Sequence, residues 1–170
     1  MKSKYVIPTI LTIIAIVVII FFFVNAKQPY VECSRTTKNE YSQVNEDIVV
    51  KLDNNKISGM TLTRKIILND KYLSEENLDM IENELKEAYR YIDSSKLSFS
   101  RGINYVLVMI DVKDDETLIL KNIKVSYDND LNIYINPNTK SSEVVTLKMK
   151  DKYSEGEFMT MMKQEGYVCK

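Results

Sequence analysis

The side chains that carry most enzyme chemistry are scarce in this chain. Its 170 residues include no histidine, which removes Ser-His-Asp and Cys-His catalysis and the common zinc sites. Carboxylates remain. Asp111, Asp114, Asp115 and Glu116 gather at what reads as a hairpin tip, and a pair such as Asp111 and Glu116 could serve a glycan hydrolase, whose two acids stand ~5–9 Å apart. Asp128-Asn129-Asp130-Leu131-Asn132 opens with the spacing of a calcium loop but lacks its turn glycine and closing glutamate, so solvated turn acids are the expected reading of both groups. Ser94-Ser95-Lys96 places serine beside lysine, at a helix end where serines cap and turn the chain. The tyrosines could form a sugar platform, yet most fall on faces that read as core. Phe158, Met159, Met161 and Met162 could line a partner groove, but a core stripe is the expected reading. No glycine-rich phosphate loop is present. The expectation is therefore no catalytic residue, no metal and no cofactor.

These residues are carried by a chain of two unequal parts. Residues 7–24, IPTILTIIAIVVIIFFFV, contain no charge. As a helix they span ~27 Å, close to the ~30 Å hydrocarbon core. Their β-branched residues favour strand in water, but in lipid every backbone polar group must be paired within the segment. Pro8 stands at the first turn, where its missing donor costs little. The reading is a transmembrane signal anchor. Cleavage after Ala26 is the competing one, since Val24-Asn25-Ala26 offers compact residues before Lys27. The apolar run is longer than the usual ~7–15-residue signal core, which favours the anchor. Lys2 and Lys4 precede the span, so residues 1–6 form a cytoplasmic basic flank. Residues 25–29 are a short linker, and residues 30–170 form one extracytoplasmic domain.

Composition limits the partners of that domain. Setting aside Lys2 and Lys4, 21 basic residues face 24 acidic ones, a net charge of about −3, which argues against nucleic acid and against a polybasic grip on anionic lipid. Outside the membrane a disulfide is permitted. Two cysteines, Cys33 near the domain's start and Cys169 at the penultimate position, allow one connectivity. Such a bridge closes almost the whole domain into a loop, with a chain-entropy effect of ~4–5 kcal/mol at most.

Periodicity predicts the elements. Residues 30–37 have strand composition, and a polar turn is expected from Lys38 to Asp47. Ile48, Val50 and Leu52 alternate with Val49 and Lys51, and Asp53-Asn54-Asn55 signals a hairpin. On the return strand Met60, Leu62, Ile66 and Leu68 share a face, which Arg64 interrupts as at an edge or bend, with a bulge near Gly59. Ser74 caps a helix whose stripe is Leu78, Ile81, Leu85, Ala88 or Tyr89, and Ile92. Ile103 to Val112 reads as a central strand covered on both faces, with Thr117 to Tyr127 as its partner. Short strands follow around Ile133 and Leu147. Ser154-Glu155-Gly156-Glu157 is a capping box, and Gly166 ends the second helix. The fold class is α+β: a mostly antiparallel, meandering sheet with two helices packed on it, behind a transmembrane helix.

This order resembles the YehR-like bacterial envelope lipoproteins and their relatives in low-GC Gram-positive bacteria. The likeness runs from about Tyr30 to Lys170. It rests on the strand around Cys33, the hairpin DIVVKLDNNKISGMTLTRK, the helix from Ser74, the strand pair ending IKVSY, and the ending Gly166-Tyr167-Val168-Cys169. No lipobox is present, so a helix would replace the lipid anchor. The resemblance implies an α+β fold and an envelope location, and it brings no activity or catalytic residue. The leading expectation is a non-enzymatic, membrane-tethered domain that binds an envelope component or a protein partner. The alternatives are a carboxylate-dependent glycan hydrolase, or an accessory or sensor subunit of another membrane protein.

Overall fold

The structure is a computed structural model that describes residues 30–113, 116–121, 123–127, 133–136 and 144–170. The predicted span 7–24 and its linker lie outside them. Among the described residues no helix is long and apolar enough to cross a membrane.

Strands β1 (Tyr30–Lys38), β2 (Ser42–Asp53) and β3 (Lys56–Leu68) open the domain as an antiparallel meander. Every second side chain is buried: Val31 and Cys33 on β1; Val44, Ile48 and Val50 on β2; Met60, Leu62, Ile66 and Leu68 on β3. That alternation puts one face of the sheet on a core. Asn54 and Asn55 turn the β2–β3 hairpin with φ of 50° and 60°, a conformation asparagine tolerates and hairpin twist favours. The register shifts opposite Lys51 and Leu52, leaving Ser58 as the extra residue beside Gly59, which is the expected bulge.

Two sequence expectations are corrected in this region. The chain turns at residues 39–41 only, not from Lys38 to Asp47, and Ser42 already starts β2. Asn39 makes the short turn possible: its side-chain oxygen accepts the N–H groups of Tyr41 at 2.9 Å and Ser42 at 2.8 Å. Arg64 marks neither an edge nor a bend. It is 0% exposed, on a strand flanked by β2 and by a later strand.

Helix α1 (Glu75–Ala88) begins at Ser74, whose hydroxyl accepts the Asn77 N–H at 3.1 Å. Leu78, Ile81, Leu85, Ala88 and Tyr89 are buried, as the helical spacing predicts. A strand not foreseen from sequence follows, β4 (Leu97–Arg101), which hairpins into β5 (Tyr105–Lys113). β5 then inserts between β3 and β4. It is covered on one face alone: Val106, Val108, Ile110 and Val112 are buried, Tyr105 and Leu107 are half-buried, and Met109 is 38% exposed. Ile103 is 90% exposed in the turn before it. The continuous apolar run therefore reflects side chains on a half-open strand rather than a strand between two layers.

The expected partner of β5, from Thr117 to Tyr127, divides. β6 (Thr117–Lys121) pairs with β9 (Val144–Lys148), and β7 (Lys124–Tyr127) with β8 (Ile133–Asn136). These two ribbons, with Ile123 between them, add Leu118, Leu120, Val125 and Leu147 to the same buried core. Helix α2 (Glu155–Gln164) carries the predicted capping box: Ser154 and Glu157 bond reciprocally, and Phe158 and Met162 are fully buried. Gly166, at φ +82°, reverses the chain. β10 (Val168–Cys169) then pairs antiparallel with β1. The large sheet runs β10-β1-β2-β3-β5-β4. The class is α+β; among the described residues all pairings are antiparallel, but the strands form three sheets rather than one meander.

Candidate functional site

Three places gather the side chains that could act. The first is the bridge. Cys33 and Cys169 form a disulfide, with Cα atoms 4.0 Å apart and directly opposite in the β1–β10 register. Glu32 and Lys170 exchange both backbone hydrogen bonds, at 3.1 and 2.9 Å. The cysteines therefore occupy the adjacent non-hydrogen-bonded pair, where side chains of antiparallel strands come closest. The bridge joins the first and last strands, as the two-cysteine count anticipated.

The second is a row of charges inside the sheet. Arg35 on β1, Glu46 on β2 and Arg64 on β3 are register partners. Arg64 is 0% and Glu46 2% exposed. Each arginine takes one carboxylate oxygen: Arg64 Nε donates to Oε1 at 2.6 Å and Arg35 Nε to Oε2 at 2.7 Å. The row also reaches the C-terminal ends of both helices. Arg64 donates to the hydroxyl of Tyr89, the residue that closes α1. Arg35 donates to the carbonyl of Glu165, the residue that closes α2, at 2.9 Å, where the helix dipole favours a cation. Its guanidinium also lies 4.6 Å from the centre of the Tyr167 ring, and the Tyr167 hydroxyl donates to Glu46 at 3.3 Å. Burial pushes the Glu46 carboxyl up, but Arg64 and then Arg35 outweigh it and hold it below its ordinary value. Burial raises the hydroxyls of Tyr89 and Tyr167. These groups face one another and fasten helices to strands.

The third is a cleft of about 300 Å³ just before the start of β4, lined by Tyr91, Asp93, Lys96, Asp111 and Glu116 among others. It brings together Asp111 and Glu116, the pair singled out from sequence, and adds Asp93. Each acid has a structural bond. Asp111 accepts the Thr61 hydroxyl at 2.6 Å. Glu116 accepts the Lys113 N–H at 2.9 Å and pairs with Lys96. Asp93 accepts the N–H and hydroxyl of Ser95, both at 2.8 Å, and the backbone bond chiefly lowers its carboxyl. Ser94-Ser95-Lys96 is thus a capped turn, with the Ser95 hydroxyl on Asp93 and the Lys96 ammonium on Glu116. Tyr91 donates to the Ile119 carbonyl at 3.1 Å, and burial pushes its hydroxyl up to about 12. Among the described residues no three of His, Cys, Asp and Glu are placed to hold a metal ion. Asp114, Asp115 and the calcium-like stretch 128–132 lie outside those residues.

The tyrosines are mostly core, as expected: Tyr89 and Tyr167 lie in the buried cluster, and Tyr41, Tyr72 and Tyr153 pack against it. Tyr105 lies on the open sheet face, but Lys65 Nζ stands 3.9 Å from its ring centre, and Gly102 is packed so closely beneath the ring that a Cβ there would collide with it. Sequence reasoning missed Glu46 and its partners. The signal was present: Glu46 and Arg64 each interrupt an apolar alternation, and hairpin register with a single bulge sets them opposite each other.

No family model, curated protein or solved structure matches this chain.

Proposed function

We propose that this is a membrane-anchored, extracytoplasmic, non-enzymatic binding domain at the bacterial cell envelope, related to the YehR-like proteins, with residues 7–24 as its anchor. The observation that carries the binding role is the second face of the large sheet. Thr36 and Asn45, Thr63 and Met109, and Lys65 and Leu107 stand there half-buried or exposed, and among the described residues no element packs over them. Hydroxyls, amides and a few apolar side chains on a flat strand surface suit an extended or flat ligand. The disulfide supports the exterior compartment, because such bridges persist where the medium oxidises. The test is a photoreactive residue at Thr63 or Met109 of the full-length chain in living cells. A discrete envelope adduct is expected there and not from exposed Glu84 on α1. No face-specific adduct would remove the reading.

A second reading, a carboxylate-dependent glycan hydrolase, draws on one observation: Asp111 and Glu116 line the same cleft. Asp111→Asn and Glu116→Gln chains assayed on envelope glycan decide it. Loss of glycan release in both, with the fold intact, would replace the binding reading with the enzymatic one.

A further inference from the structure

Strand β4 is the outer edge of the large sheet. The β4–β5 turn closes with the Gly102 N–H on the Tyr105 carbonyl at 3.0 Å, and pairing runs back through Arg101↔Val106, Ser100↔Leu107, Phe99↔Val108, Ser98↔Met109 and Leu97↔Ile110. Bonded and non-bonded pairs alternate along an antiparallel ladder. Ser98 and Ser100 therefore aim their backbone groups at β5, while Leu97, Phe99 and Arg101 aim theirs outward. The Leu97 N–H is taken by the Ser94 carbonyl. The Leu97 carbonyl and both backbone groups of Phe99 and Arg101 have no partner among the described residues. Edge strands that stay single are guarded by lysine, proline or a bulge. β4 has none of these, and its one charged side chain, Arg101, is turned onto Glu75 and Asp79 of α1.

We propose that β4 pairs antiparallel with β4 of a second copy, about a two-fold axis through Phe99, joining two six-stranded sheets into one. The strand suits this because Ser98-Phe99-Ser100 reads the same in both directions. Phe99 exchanges both backbone bonds with the partner's Phe99, and each Arg101 N–H meets the partner's Leu97 carbonyl, so four outward groups on each copy find partners. Isologous pairing of this kind closes at two copies. The helix above the edge permits the pairing too. α1 runs opposite to β4, with Glu75 and Asp79 over Arg101 and Lys86 Nζ 5.6 Å from the Phe99 ring centre. The other charges along this helix are also paired within the chain, Glu82 with Lys86 and Glu87 with Arg90, so an antiparallel copy meets compensated charge rather than a like-charged rim. Because the axis is normal to the sheet, copies in one bilayer meet with their sheets lying along it.

The pairing sets Ser98 opposite the partner's Ser100, a non-bonded pair on the open face. Both native cysteines are bridged, so introduced thiols are read without background. Full-length Ser98→Cys and Ser100→Cys chains, co-expressed and oxidised in membranes, should give ~10-fold more disulfide-linked dimer than either alone, since closure needs Cβ atoms ~3.5–4.5 Å apart. Ser98→Lys/Ser100→Lys should convert the full-length chain in detergent from dimer to monomer by sedimentation. The monomer should keep the secondary structure of the unmodified chain, because both serines are exposed. A monomeric unmodified chain, equal cross-linking of single and mixed variants, or cross-linking of Ser98→Cys only to another protein would each overturn self-pairing.

Discussion

Glu46 and Glu116 are both carboxylates held by cations, yet Glu46 is buried between two guanidiniums while Glu116 borders an open cleft beside Lys96. In water a pair such as Lys96 and Glu116 gains little, because solvent screens it and both side chains lose freedom. Inside the sheet the same chemistry becomes an obligation. Two arginines and one glutamate have left water, and removing any one strands the others. The buried row also joins β1, β2 and β3 to α1 and α2, through Tyr89 and the Glu165 carbonyl. Such charges specify an arrangement of elements. Charges at the cleft leave the elements as they are and remain free to meet a ligand.

The largest difference should appear when the buried row is broken. Glu46→Gln keeps the shape but leaves Arg64 buried without a counter-charge, and should cost ~3–5 kcal/mol in urea unfolding. Replacing the whole row with apolar residues, Arg35→Met, Glu46→Leu and Arg64→Met together, should recover much of that, since buried ion pairs seldom outweigh their desolvation. A triple variant as unstable as Glu46→Gln would mean the row stabilises the fold beyond pairing its own charges. The pH dependence has a definite sign. The folded Glu46 carboxyl lies below its ordinary value of 4.5, so its contribution is complete above that pH and is lost as pH falls through the folded value. Glu46→Gln should flatten this acid-side loss.

The bridge comes next. Cys33→Ala should cost ~2–5 kcal/mol and leave one titratable thiol. Val168 is already 74% exposed, so hydrogen exchange should quicken at Val168–Lys170 first, while Tyr167, packed on Arg35 and Glu46, should stay protected. Equal exchange at Tyr167 would show that the bridge, and not the charged row, fixes the end of α2.

Much of this was legible in the sequence, and the losses share a cause. The Asn54-Asn55 hairpin, both helix caps and the Gly166 reversal follow from local rules that act within a few residues, and the cysteine pair, 136 residues apart, follows from a count of two. What failed depended on partners far along the chain. Glu46 looked like turn composition because a charge is read as exposed, and only Arg35 and Arg64, 11 and 18 residues away, permit its burial. β4 was overlooked although Leu97, Phe99 and Arg101 alternate with serines, because five residues give a weak period. β6 and β7 read as one strand because nothing local in Thr117 to Tyr127 says that its halves choose β9 and β8. The cleft was half legible: Asp111 and Glu116 were visible as a pair, but Asp93 and Lys96 join them only through the return of the chain after α1.

The smallest effect belongs to the cleft, and its size is the point of the measurement. Glu116 is part-exposed and bound to Lys96 and to the Lys113 N–H, so Glu116→Gln keeps the backbone bond and loses only an ion pair, worth ~0–1 kcal/mol and less at high salt. Asp111→Asn keeps an acceptor for the Thr61 hydroxyl and should cost no more. A loss above ~3 kcal/mol for either would place that acid in the same class as Glu46, since only a carboxylate removed from water carries so large a penalty when its partner is left behind. A loss within the expected range leaves the cleft acids dispensable to the fold. Their substitution could then be read directly in binding or glycan-release assays, without correction for unfolding.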